Sequence, residues 1–372
     1  MSKFKLPPVS PLIGSGLFNY FKIIFNNKIS PRYYLHVIIT FSIILLATPF
    51  HLIDHIIFKY RLRKFTLKKD PIFIIGHWRS GTTFLHNLIC KDKSFAFFNT
   101  YNSLFINNLY SSFLFKTLMN KIMPKQRPSD GMKLGVDLPQ EDEFAVTNFY
   151  NISHYLFFYF PNNYKKYYNE AIKFQSNSIN ENKWIANYDK IIKRILLYMN
   201  KKQILIKNPS NTSRISSILS KYPDAKFIHI HRNPYYVYLS TYKFFYELFP
   251  SVNLQVVKDD TIHKLILYNY KNMYNDYFKQ YKLIPKSNLI DIKFNDFKEN
   301  PLDIIKNIYD KFSIRTYDTS KQDFINYIDE NSSHKMNTYK IKKDRLLEIK
   351  NEFSIIIKKL KYSIPKNLEI IN

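Results

Sequence analysis

Asp70–Leu88 reads DPIFIIGHWRSGTTFLHNL. Pro71–Ile75 is a short apolar, β-branched run, long enough for a buried strand and too short for a helix. Gly76–Thr83 follows as GHWRSGTT, two glycines five positions apart with two hydroxyl residues at the far end. Phe84, Leu85 and Leu88 then recur at helical spacing. A strand, a glycine-punctuated loop and a helix start together make an anion site. Backbone N–H groups converge on one point there, and the helix dipole adds partial positive charge. The usual triphosphate loop puts Lys after its second glycine, with Ser or Thr next to hold magnesium. Here Thr82 takes the lysine position and the nearest cation is Arg79, inside the loop. Plain turn-and-cap chemistry is the competing account of this spacing.

Working outward, Gln203–Lys207 (QILIK) and Lys226–His231 (KFIHIH) are further short β runs, closed by Asn208-Pro209 and Arg232-Asn233-Pro234. Phe95–Phe98 and Leu289–Phe294 (LIDIKF) read as strands too. Helices are expected over Ser103–Met123, Ser213–Lys221, Tyr235–Glu247 (with Pro234 at its start), Pro301–Phe312 and Arg345–Leu360. Phe149–Ile192, rich in Tyr and Phe, is expected to be helical with loops. Alternating strands and helices with short joints predict an α/β fold, a parallel sheet flanked by crossover helices. Lys207 and Arg232 stand at carboxyl ends of predicted strands, where such sheets bind ligands. Ser240 lies about two helical turns beyond Arg232, near enough to share one phosphate with it.

Pro139–Phe144 reads PQEDEF, three carboxylates together in a strongly basic chain. Acids belong in a first helical turn, so a solvated helix start is one account. A general base is the other, because a carboxylate near cationic phosphate ligands can take a hydroxyl proton.

The 372 residues carry 56 Lys+Arg against 29 Asp+Glu, a net charge of +27. Most of the basic residues are Lys, and Asn, Ile, Tyr and Phe are abundant, a bias typical of A+T-rich coding. The charge therefore favours a solvated Lys-rich surface tolerant of anionic ligands, and a nucleic-acid partner is not expected. Cys90, the single cysteine, excludes an intrachain disulfide and a cysteine metal cluster. The ten histidines show no metal-ligand spacing, so no metal is expected. Residues 1–69 divide from 70–372 as a basic and apolar helical segment ahead of a catalytic body. Within the former, Tyr33–Leu52 is about long enough to cross a bilayer, although His36, Pro49 and His51 weaken it. Positive charge on both flanks suits a helix lying in the membrane interface, with the body on the cytosolic face. A buried helix covering the core is the alternative.

Gly76–Thr83 together with Arg232-Asn-Pro-x-x-Val237-x-x-Ser240 resembles the two signatures of sulfotransferases that use 3′-phosphoadenylyl sulfate (PAPS). The similarity is to a mostly bacterial branch with the loop GHWRSGTT. That branch also carries PQEDEF, matched by Pro139–Phe144, and KNP, matched by Lys207–Pro209. Asp224–His231 and His334-Lys-x-Asn-x-Tyr339 resemble it as well, so the likeness runs from about Asp70 to near the C-terminus. The resemblance implies a sulfotransferase fold of the P-loop kind, with PAPS as co-substrate and no metal. It implies that Arg79, Ser80, Gly81, Thr82 and Thr83 hold the 5′-phosphosulfate, and that Arg232 and Ser240 hold the 3′-phosphate. Sulfonate then moves to a hydroxyl or amine of a small-molecule, lipid or carbohydrate acceptor. Arg79 and Lys207 would stabilise the transferring charge. The cytosolic branch has a catalytic His two residues after the matching Lys. Here that position is Pro209, and the Glu base of other branches raises Glu143, with Glu141 and Asp142 beside it. His334-Lys335 stand in for a missing glycine-rich phosphate motif. The expected location is the cytoplasmic membrane surface, with a Golgi lumen as the eukaryotic alternative. A small-molecule kinase and a non-enzymatic polyanion or membrane binder are the rival functions.

Overall fold

The computed structural model describes residues 9–124, 133–175, 178–332 and 339–371. His334 and Lys335 lie outside the described residues. In chain order the elements used below are α1 (Leu17–Phe25), α2 (Tyr34–Arg63), β1 (Ile72–Ile75), α3 (Thr82–Ile89), β2 (Phe95–Ala96), α4 (Thr100–Leu104), α5 (Ser112–Ile122), α6 (Glu143–Phe149), β3 (Gln203–Lys207), β4 (Lys226–His231), β5 (Leu289–Lys293), β6 (Lys340–Lys342) and β7 (Glu369–Ile371). Later helices are named by their ranges. The chain forms two compact units. One comprises Met1–Asp70, Ala96–Ile206 and Phe244–Leu265, and the other Pro71–Phe95, Lys207–Lys243 and Ile266–Asn372.

The second unit holds a parallel β1-β4-β5 sheet. Ile72 pairs with Lys226, and Phe227 with Leu289, so the carboxyl ends of all three strands fall on one edge. All four residues of β1 are buried, the continuous apolar pattern of a strand covered on both faces. Phe73 stacks on Phe227 at 5.5 Å between ring centroids. Three predicted strands appear at their expected positions within a residue, because each β-branched run is bounded by Gly, Pro or Asn. The Asn208 N–H, just past β3, donates to the Ile74 carbonyl at 3.3 Å and brings the end of β3 beside β1.

The first unit is mainly helical. Its core gathers around Ser178–Met199, which buries Trp184, Tyr188, Ile191, Ile192, Ile195 and Leu196. The helix expected over Ser103–Met123 is two, α4 and α5, with a break between them. The break has a cause in α2. Buried Asp54 accepts the N–H of Leu109 at 2.6 Å and of Tyr110 at 3.1 Å, donors that a continuous helix would have used internally. The helix expected over Arg345–Leu360 also breaks, at buried Phe353, into Lys343–Glu352 and Ser354–Leu360. The parallel β6–β7 pair was not expected from the sequence.

Candidate active site

The loop after β1 is shaped by positions that tolerate no side chain. Gly76 has φ +131°, and a Cβ there would lie 2.1 Å from the Ile230 carbonyl oxygen. Gly81, with φ +96°, caps α3, and a Cβ would meet Phe294 at 2.2 Å. Arg79 is also left-handed, at φ +68°. A non-glycine residue there is unfavourable and is kept where its side chain is needed. The Ser80 N–H donates to the His77 carbonyl at 3.2 Å, and the Gly76 N–H to Thr212 Oγ1 at 2.8 Å. The loop is thus folded back on itself and tied to the segment following β3.

Cations converge on this loop. Arg79 Nε donates to Ser240 Oγ at 2.9 Å, joining the loop to the Pro234–Val252 helix. Lys207 Nζ, buried at the end of β3, donates to Thr83 Oγ1 at 3.4 Å. The Arg232 guanidinium lies over the Phe294 ring at 4.7 Å and the Tyr236 ring at 5.5 Å. Burial lowers the Arg232 pKa, and the like charge of Arg79 lowers it further. Two guanidiniums and an ammonium gathered at one loop favour an anion there. Arg79, Ser80, Gly81, Thr82, Thr83, Lys207, Arg232 and Ser240 therefore all belong to one unit and one sheet edge.

Neighbouring ionisable groups are buried or tied by hydrogen bonds. Burial lowers the His77 imidazole to about 4, so it is uncharged, and its Nδ1 bonds to the Trp78 carbonyl at 2.9 Å. On β4, His229 Nδ1 bonds to Asp291 Oδ1 at 2.6 Å and His231 Nδ1 to the Tyr362 hydroxyl at 2.9 Å. Burial pushes the Asp291 pKa up, but the hydrogen bonds from His229 and His231 more than offset that and leave it well below the usual carboxylate range. Cys90 is buried and its thiol pushed well up by that burial, which makes it an inert core thiol.

Glu143 lies in the other unit, in the first turn of α6. The acidic run is not the solvated helix start that composition allows, since Asp142 and Glu143 are both fully buried. Glu143 Oε1 accepts from Ser153 Oγ and from the His154 N–H, each at 2.9 Å. Asp142 accepts the Tyr188 hydroxyl and Glu141 the Tyr155 hydroxyl. Sequence reasoning missed Thr212, Phe294 and Tyr236, which brace the loop and Arg232. Phe294 ends the LIDIKF run and Tyr236 comes two residues after RNP, but nothing in either pattern marks it as a contact. Among the described residues no cluster of three or more His, Cys, Asp or Glu is placed to hold a metal.

A parallel sheet with a strand–loop–helix anion site at its carboxyl edge, cationic but without the triphosphatase lysine, defines a group transferase of the P-loop kind. The finer assignment comes from comparison. Residues 71–318 match the model of the sulfotransferase family, and the chain belongs to that family: it is a sulfonyl-transferring enzyme. Omega-hydroxy-beta-dihydromenaquinone-9 sulfotransferase Stf3 of Mycobacterium bovis is 25% identical over 354 residues, 94% of this chain and 90% of the relative, and the same match holds for Mycobacterium tuberculosis. The structure is similar to sulfotransferase STF9 from Mycobacterium avium, with TM-score 0.67, 13% identity and coverage of 94% and 98% of the two chains. It is also similar to sulfotransferase STF1 from Mycobacterium tuberculosis, with TM-score 0.64, 14% identity and coverage of 92% and 93%. At these identities the structural likeness speaks to the fold. Nothing among these matches favours the kinase or the polyanion binder.

Proposed function

We propose that the enzyme takes its sulfonate from PAPS and passes it to the hydroxyl of an amphipathic, lipid-like acceptor at a membrane surface on the cytoplasmic side. The observation that carries the donor is the Arg79–Ser240 hydrogen bond beside Arg232. One nucleotide with phosphates at both its 3′ and 5′ positions suits two such neighbouring cationic groups, whereas a triphosphate does not require a second phosphate site apart from its chain. The glycine positions let the loop backbone pack against the Ile230 carbonyl and the Phe294 ring, which fixes the turn that presents its N–H groups. The acceptor class is supported by the name of the Stf3 relative, a sulfotransferase for a hydroxylated menaquinone.

Bound PAPS supplies an activated sulfonyl group on a bisphosphate leaving group. Loop N–H groups, Arg79 and Thr82-Thr83 hold its 5′ end, and Arg232 and Ser240 hold the 3′-phosphate. Glu143 takes the proton of the acceptor hydroxyl as that oxygen forms its bond to sulfur. The sulfur–oxygen bond to the nucleotide breaks with its electron pair, and Arg79 and Lys207 stabilise the charge that gathers there. The released nucleotide is 3′,5′-bisphosphoadenosine. Transfer from labelled PAPS to long-chain hydroxylated quinones or isoprenoids tests this reading. Glu143→Gln is expected to lower kcat by roughly 10²- to 10⁴-fold, against small effects for Glu141→Gln. A Glu143→Gln enzyme with unchanged kcat removes the carboxylate from the reaction.

A further inference from the structure

The described surface of the first unit carries an unusual apolar face. Of the large hydrophobic side chains standing exposed, nine lie on α2, two on α1 and four on α5. Leu46 is 76% exposed, Phe113 70% and Phe18 84%. The three helices adjoin: Phe21 of α1 meets Phe41 of α2 at 5.5 Å, and Phe50 of α2 meets Phe115 of α5 at 5.6 Å.

α2 has two stripes running its full length. Thr40, Ile44, Ala47, His51, Asp54 and Phe58 recur at three- and four-residue steps and are buried. Leu35, Ile38, Leu46, Leu52, Ile53 and Ile56 occupy the outward side and are exposed. Only 22% of the most apolar part of this helix is buried, so it is not the covered core helix that its composition allows. The inward stripe is held by polar contacts at both ends. Thr40 Oγ1 accepts the Ser10 N–H at 2.9 Å, and Asp54 accepts Leu109 and Tyr110. A bilayer-spanning pose would drag the backbone of this folded unit into hydrocarbon, where its polar groups find no partners. The helix therefore lies along the surface.

Charge names what covers it. From Leu17 to Lys69 the chain has nine Lys or Arg and a single acid, Asp54, which is buried. Lys22, Lys28 and Arg32 precede α2, and Lys59, Arg61, Arg63 and Lys64 close it, all exposed. α5 adds Lys116 and Lys121 and no acid, Lys116 being paired with Asp137 at 2.6 Å. We propose that the outward faces of α1, α2 and α5 dock the protein monotopically on the interface of an anionic lipid bilayer, with α2 in the membrane plane. Its apolar stripe enters the headgroup–acyl boundary and the cations at its ends meet lipid phosphates. The inference deepens the membrane-side reading above and rests on it. The test reads docking without any transfer, so either can fail alone.

The experiment is co-sedimentation of the full chain with phosphatidylcholine vesicles, plain or containing on the order of one-third phosphatidylglycerol. The expected result is partitioning onto the anionic vesicles that weakens with added salt. The doubly substituted Leu46→Asp/Leu52→Asp chain loses at least tenfold in partitioning while its unfolding midpoint and its affinity for 3′,5′-bisphosphoadenosine hold. Lys59→Gln/Lys64→Gln weakens binding to anionic vesicles alone. Failure of the wild type to sediment with either vesicle overturns the proposal, as does equal partitioning of the Leu46→Asp/Leu52→Asp chain. A dimer of the wild type that ignores vesicles and is split by Leu46→Asp assigns the face to a second copy of the chain instead.

Discussion

The glycine loop and α2 both invert the usual placement of residues, in opposite senses. At the loop, Lys207 is buried and Arg79 and Arg232 are half-buried. On α2, leucines and isoleucines stand in water. Gathering like-charged cations in a partly desolvated place is unfavourable alone and becomes favourable when an anion arrives. Exposed apolar stripes are unfavourable alone and become favourable against something apolar. The two regions differ in what supports them. The loop is fixed by backbone geometry that only glycine satisfies. The α2 stripe is free of local constraint, because the opposite side of the helix does the anchoring.

That contrast predicts how each region breaks. Gly76→Ala pushes a methyl group to 2.1 Å from a backbone oxygen at a left-handed position. A loss of about 4 kcal/mol in unfolding free energy is expected by denaturant titration. Gly16→Ala, where nothing lies within 4 Å, is the near-silent control. Acid comes next. Burial lowers His77 and His51 to about 4, below the ordinary imidazole value near 6.5, so the unfolded chain protonates first as pH falls. Stability is then whole above about pH 6.5 and declines toward pH 4, by about 3 kcal/mol for each ring, in melts across that range. Asp54→Ala strands two N–H groups, and about 2 kcal/mol is expected to be lost, with no change in bisphosphate binding. The smallest effect belongs to the outer stripe. Leu46→Ser is expected to shift stability by less than about 0.5 kcal/mol, which chemical denaturation resolves from the Asp54 effect.

Much of the second unit was legible in the sequence, because strands covered on both faces write themselves as short apolar runs between turn residues. β1, β4 and β5 appear within a residue of where they are expected, and the loop cations stand at the carboxyl edge of that sheet. Less of the first unit was legible. Its Tyr- and Phe-rich helices have apolar residues on every side, which blurs any period. The break between α4 and α5 depends on a carboxylate more than fifty residues upstream, a contact no local pattern encodes. The acidic run read equally well as solvated surface or as buried base, since burial of Asp142 and Glu143 is set by hydroxyls of Tyr188 and Ser153 in other elements. Of the two stripes of α2 the outward one is the more apolar in sequence, so composition alone points the wrong face inward and only packing separates them.

The most direct test of the donor assignment is calorimetric binding of 3′,5′-bisphosphoadenosine in EDTA, with ATP and magnesium alongside. Metal-free binding of the bisphosphate, weakened by about 2 kcal/mol in both Arg79→Ala and Arg232→Ala, is the predicted result. Tighter binding of magnesium ATP, with Arg232→Ala silent, would contradict it.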